Sequence, residues 1–230
     1  MNRKNRLLTG IVIVGLIGVG ALIYGMFLGG PDLSQGERSI LILAVDESES
    51  RPGMGAVDMA FIVTLKNGSI VNYTPFYPGG MTHPTQPEPP GAGAGGMMLL
   101  HDSLWDTDTV QGMKYAKEIV EHNKGVQIDA VVAVNTEAMD AVISAAQLPT
   151  TLTAADIIRE NDQLHGGSMS RGEAVLALVK DLSKAATNEK TRNSMIQAAL
   201  DQYSAGNIVM DPSGSFMSLL ATKGFNALTG

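Results

Sequence analysis

Cysteine is absent from all 230 residues. Disulfides, thiolate metal sites and cysteine nucleophiles are excluded together, so the chain must be held by burial of its own core. Positive charge is also scarce, with 16 Lys+Arg against 23 Asp+Glu. Arg3, Lys4 and Arg6 precede a long apolar run, so the rest of the chain has 13 cations against 23 anions, a net of −10. A nucleic-acid binder needs a basic face to displace phosphate counterions, and none is available here. Several catalytic signatures are missing as well. No GK[ST] follows the Gly-rich stretch at Gly91, which excludes a P-loop. GxSxG and SxxK are absent, and the four histidines have no HExxH spacing.

The apolar run itself is long. Residues 7–28 read LLTGIVIVGLIGVGALIYGMFL without a charged side chain. At about 1.5 Å per residue they span about 33 Å, enough for a hydrocarbon core of about 30 Å. Within lipid such a segment must be helical, because no water satisfies its backbone. A cleaved signal peptide has a shorter apolar stretch, about 7–15 residues, and a small-x-small end. The expectation is therefore an uncleaved anchor, with residues 1–6 as a cytoplasmic stub. Arg3, Lys4 and Arg6 on the near side send the remainder outward by the positive-inside rule. Residues 29–37 read as a linker and 38–230 as an extracytoplasmic domain of a size that supports one core.

Within that domain, SILILAV at 39–45 predicts a strand buried on both faces. VDMAFIVTL at 57–65 predicts a second strand, and Asn67-Gly68 a tight hairpin into a third at 70–73. Residues 75–96 are so rich in Pro and Gly that they predict a long loop without regular structure, at the end of a strand where sites often lie. Helical spacing then predicts helices at 97–105 and 111–122, the second stopped by Gly125. A strand at 128–134 follows, and Thr136 caps a helix over 137–146. Ser170 and Glu173 form a capping-box pattern for a helix over 171–186. A helix at 190–203, a strand at 207–210 and a helix at 212–222 complete the chain. The fold class is α/β, a mixed-sheet sandwich.

Asp46, Glu47 and Glu49, with Asp58 on the next strand, bring carboxylates to one sheet edge, a donor type that suits Mg²⁺. The same pattern describes a solvated loop. Ser170-Arg171 at a helix start offers a guanidinium and backbone N–H groups to an anion, or acts as a plain cap. His101-Asp102 attracts interest only because it follows the Gly-rich stretch. Asn67-Gly-Ser matches a glycosylation acceptor.

The strings Leu41-Ile-Leu-Ala-Val-Asp46, Ala56-Val-Asp58-Met-Ala-Phe-Ile-Val and Val71-Asn-Tyr-Thr-Pro75 resemble the opening of the LytR-CpsA-Psr (LCP) domain. The helix beginning Ser-Arg171-Gly-Glu is similar to that family's Arg-bearing helix. Across nearly the whole exported part, RPGMGAVDMAFIVTL, YPGGMTHPTQPEPP and DAVVAVNTEAMDAVI resemble an uncharacterised archaeal family of membrane-anchored proteins of unknown function. The LCP resemblance implies a cell-envelope role, with transfer of a glycopolymer from a polyprenyl-pyrophosphate carrier, assisted by Mg²⁺. It implies Asp46 and Asp58 at the metal, Asp58 and Arg171 as catalytic residues, and Arg51, Tyr77 and His83 at a polyisoprenoid or glycan ligand. An enzyme of this kind is a Mg-dependent phosphotransferase. Two departures stand out: Phe76-Tyr77 occupies the place of an Arg-Asp pair, and Ala56 that of an Arg. Missing cations favour the alternative, a non-catalytic envelope scaffold or sensor that binds a protein partner.

Overall fold

The computed structural model describes residues 30–93, 95–148, 153, 154, 156 and 171–215, and of the side chains at 171–176 and 183 nothing further is said. Among the described residues no helix is long and apolar enough to cross a membrane. The anchor expected at 7–28, the Ser170 cap and most of the helix expected at 212–222 lie outside the described residues.

The core is a five-stranded sheet in the order β3-β2-β1-β6-β7. Strand β1 (Glu37–Asp46) is central, with β2 (Ala56–Lys66) antiparallel on one side and β6 (Ala130–Asn135) parallel on the other. Strands β3 (Ser69–Phe76) and β7 (Ile208–Asp211) are antiparallel at the two edges. The sheet is mixed, as expected from the sequence. Asn67 at φ 52° and Gly68 at φ 82° form the β2–β3 turn, both in the left-handed region that this hairpin type requires. Asn67 also ties the turn to the start of β1, since its backbone N–H donates to Gly36 O and its Oδ1 accepts from Gly36 N.

Period-two alternation along β1 sends Leu41, Leu43 and Val45 to one face and Ile40, Ile42 and Ala44 to the other. Helix α1 (Thr109–Lys124) covers the first face through Met113, Ala116, Ile119 and Val120, and Gly125 ends it in a left-handed cap. Helices α2 (Thr136–Ala145) and α4 (Glu189–Ala205) cover the second face. Helix α3 (Arg171–Ala185) adds Leu178 and Val179 beside Ala44 and Met59. Asn135, rather than Thr136, is the N-cap of α2, its Oδ1 accepting from Ala138 N at 3.0 Å.

The Pro/Gly-rich stretch corrects the expectation of an irregular loop. Strand β4 (Thr82–Pro87) pairs antiparallel with β5 (Met97–Leu99), and a 3-10 turn at Leu100–Asp102 stands where a helix over 97–105 was expected. A two-stranded ribbon tolerates Pro because half of its backbone donors face away from the partner strand. The intervening residues are tied by Glu88, whose backbone N–H donates to Gly96 O and whose Oε2 accepts from Gly95 N at 2.6 Å.

Leu43 is fully buried in the central strand, whereas Val71 on edge strand β3 is 57% exposed. Chemical denaturation should show Leu43→Ala losing about 2–5 kcal/mol. Val71→Ala should stay within about 0.5 kcal/mol of the parent.

Candidate functional site

The carboxyl ends of the parallel pair β1 and β6 and the start of β2 lie on one edge of the sheet, since Asp46 is opposite Ala56 and Val45 is beside Asn135. This is where open α/β sheets place ligands. Three segments meet there: the β1–β2 loop, the first residues of β2, and the 3-10 turn after β5.

Asp58 owes its position to a bulge. Ala44 pairs with Met59 and Val45 with Val57, leaving Asp58 as the extra residue on β2. A bulge of this kind re-aims the side chain it carries. The β1–β2 loop folds back through Ser48, whose N–H donates to Asp46 Oδ1 at 2.8 Å, and Gly53, whose N–H donates to Trp105 O at 2.7 Å. A Cβ on Gly53 would strike the backbone oxygens of Leu104 and Asp106, so only glycine allows this approach. Gly55, at φ +129°, passes equally close to the Asp46 carbonyl.

Arg51 fastens the loop to the turn. Its Nη2 donates to Asp102 Oδ1 at 2.6 Å and its Nη1 to Glu49 Oε2 at 3.0 Å. The side chains of Arg51 and Asp102 are each only 7% exposed. The guanidinium also lies 5.3 Å from the Trp105 ring centroid, a cation–π distance. Burial opposes the charge on Arg51, but the hydrogen bonds and charges of Asp102 and Glu49 outweigh it and raise its pKa. Its Nε is buried without a hydrogen-bond partner among the described residues.

Glu49, Asp58 and His101 form the cluster beside this clamp, each offering one ligand atom and all three atoms lying within 4.8 Å of one another. His101 Nδ1 lies 3.0 Å from Val57 O. A carbonyl only accepts, so Nδ1 carries a proton. The opposite nitrogen, Nε2, faces Glu49 Oε2 at 3.4 Å, while Asp58 Oδ1 stands 3.6 Å from Nδ1. With Nδ1 donating to Val57 O, Nε2 is the ring nitrogen that faces Glu49. Among the described residues, Glu49, Asp58 and His101 bring two carboxylates and an imidazole together, a donor set that fits a divalent cation.

The residues singled out in the sequence are distributed unevenly around this site. Asp58 and Arg51 belong to it. Asp46 is 2% exposed, accepts from Ser48 N, and is outside the Glu49–Asp58–His101 cluster. Among the described residues, Asp58 is thus the member of the expected Asp46–Asp58 pair that lies in this cluster. Glu47 turns to α2, where it accepts from Thr136 N and Oγ1. Tyr77 is exposed just beyond β3, at the same sheet edge as Asp58. His83 is buried, with Nδ1 accepting from Thr85 N and Gln86 N. Its Nε2–H must therefore donate to Glu118 Oε2, 2.7 Å away, pinning β4 to α1. Arg171 is the first residue of α3, and its side chain is outside those described. The residue that sequence reasoning undervalued is His101, whose one signal was the His-Asp pair after the Gly-rich stretch.

Comparison with known proteins follows from this geometry. A family model described as a protein of unknown function (DUF4012) matches residues 35–164. No curated protein matches the sequence. Among solved structures, a Streptococcus agalactiae protein, gbs0355, aligns at TM-score 0.55 and 14% identity, over 84% of this chain and 75% of that one. An Enterococcus faecalis transcriptional regulator aligns at TM-score 0.53 and 14% identity, over 86% and 75% of the two chains. These two share the fold. A LytR-CPS2A-psr family protein, TagT of Bacillus subtilis, solved with octaprenyl pyrophosphate lipid, aligns at TM-score 0.44 and 13% identity, over 76% and 77%. That alignment is too distant for residue-by-residue comparison. The mixed α/β fold expected from the sequence agrees with the two neighbours that align above TM-score 0.5.

Removing one partner of a buried ion pair leaves the other charge uncompensated. Asp102→Ala and Arg51→Met should each lower the unfolding free energy by about 3 kcal/mol. The double variant should lose clearly less than the two together, by about 1–3 kcal/mol in a double-mutant cycle. Additive losses would show that the clamp does not hold the loop.

Proposed function

The chain belongs to the DUF4012 family, and on that footing we propose that it is an LCP-like cell-envelope domain that binds a pyrophosphate-bearing polyprenyl or glycan ligand through a divalent cation. The observation that carries this reading is the meeting of Glu49, Asp58 and His101 beside Arg51 at one sheet edge. Two carboxylates and an imidazole attract the cation, and the cation presents a positive face to phosphate oxygens. Arg51 holds Glu49 Oε2 beside that cation through its Nη1. Exposed Tyr77, at the same edge, offers an aromatic surface to the rest of the ligand. The polyprenyl part of the reading rests on the sequence likeness of 41–75 to the LCP opening.

The apolar run at 7–28, with Arg3, Lys4 and Arg6 before it, supports an outward-facing domain anchored by one helix. A ligand of this kind is itself held in the membrane, so an anchored domain meets it in two dimensions.

Whether the site transfers or only holds its ligand turns on Arg51. Phosphoryl and pyrophosphoryl chemistry needs cations aimed at developing negative charge. The guanidinium of Arg51 is already neutralised by Asp102 and Glu49. This favours holding over rapid transfer, and it supports the second reading of a non-catalytic envelope module. Mg²⁺ is the ion the LCP resemblance implies, and the Glu49 and Asp58 oxygens suit it.

Binding of an octaprenyl pyrophosphate lipid to the detergent-solubilised full chain, followed by tryptophan fluorescence from Trp105, should require a divalent cation. Asp58→Ala should weaken it at least tenfold. Binding that survives both chelator and Asp58→Ala would remove the assigned site.

A further inference from the structure

His101 adds a nitrogen donor to the carboxylates of this cluster. We propose that Glu49, Asp58 and His101 form a mixed nitrogen–oxygen site that takes a Zn²⁺-class cation in preference to Mg²⁺, with His101 Nε2 as the selecting ligand. The proposal rests on the reading that a divalent cation occupies this cluster, and it identifies which class.

Three observations support it. First, the proton position is set from outside the cluster: Val57 O takes the Nδ1 proton at 3.0 Å, which leaves the Nε2 lone pair on the side of Glu49. Metal-binding histidines show this arrangement, one nitrogen donating to a carbonyl while the other ligates. Second, the Glu49–His101 pair has the spacing of two ligands on a small tetrahedral ion, with an Asp58 oxygen within 4.8 Å. Ligands at about 2.0–2.1 Å around a tetrahedral centre lie about 3.3 Å apart. Glu49 Oε2 and His101 Nε2 are 3.4 Å apart. Third, the ligand count leaves room for an exogenous group. One nitrogen and two oxygens fill three positions of four, as in Zn²⁺ sites that keep a place for water or substrate. Arg51 Nη1, 3.0 Å from Glu49 Oε2, orients that carboxylate.

Mg²⁺ fits this set less well. It demands octahedral oxygen coordination and sheds water reluctantly, and an imidazole nitrogen is a poor exchange for a hydration water. Among divalent first-row cations, affinity for a site with a nitrogen donor rises from Mn²⁺ towards Zn²⁺. The site is open to such an ion, because Glu49 is 48% and His101 31% exposed.

The test uses full chain stripped with chelator and titrated with Co²⁺, which reports tetrahedral coordination through its visible absorption. Zn²⁺ should displace Co²⁺ at one equivalent, whereas Mg²⁺ should need at least a hundredfold excess. His101→Gln should cut Co²⁺ and Zn²⁺ affinity at least tenfold and change Mg²⁺ affinity less than threefold. If His101→Gln disturbs folding, Glu49→Gln at the more exposed position serves instead, and it should weaken Mg²⁺ at least as much as Zn²⁺. Equal competition by Mg²⁺, lost in Asp58→Ala, would overturn the selectivity and leave the cation site standing. Absence of any Asp58-dependent cation binding would overturn both.

Discussion

The buried ion pair between Arg51 and Asp102 is the contact on which the rest of the site depends. It joins two segments 51 positions apart in sequence, the β1–β2 loop and the turn after β5. Each of those segments carries one member of the cluster, Glu49 on the loop and His101 on the turn, while Asp58 stands on the bulge between them. The pair, together with the Gly53 N–H to Trp105 O bond, holds Glu49 and His101 at the same edge. The pair is expensive to bury, and Trp105 and the glycine-only approach of Gly53 exclude water around it.

The sheet supplies the platform. Parallel pairing of β1 with β6 puts two carboxyl ends together, and antiparallel β2 returns to the same edge, so its bulge falls beside them. Helix α1 and the β4–β5 ribbon close one face, and the ribbon then delivers the His101–Asp102 turn to that edge. His83 matters in this route although it is far from the chemistry in role. By pinning β4 to α1 it holds the ribbon whose end presents His101.

Much of this was legible in the residues. SILILAV marked the central strand, Asn67-Gly68 marked the hairpin, and Gly125 marked the end of α1, because each depends on local pattern or local backbone geometry. The acidic edge at Asp46–Asp58 was visible as composition, but which carboxylates converge was not. The bulge at Asp58 and the inward turn of Asp46 are pairing events between strands, and no local spacing encodes them. The ribbon at 82–99 was hidden for a related reason. Its prolines argue against a sheet interior, and they are tolerated because the ribbon has only two strands. His101 lay in a segment expected to be helical, so its meeting with Glu49 could not be anticipated.

An anomalous-scattering crystal structure, collected at the zinc edge from full chain supplied with one equivalent of Zn²⁺, addresses the account most directly. The account predicts one strong peak bounded by Glu49, Asp58 and His101, with Arg51 still paired to Asp102. A peak elsewhere on the chain, with these three side chains bare, would contradict it.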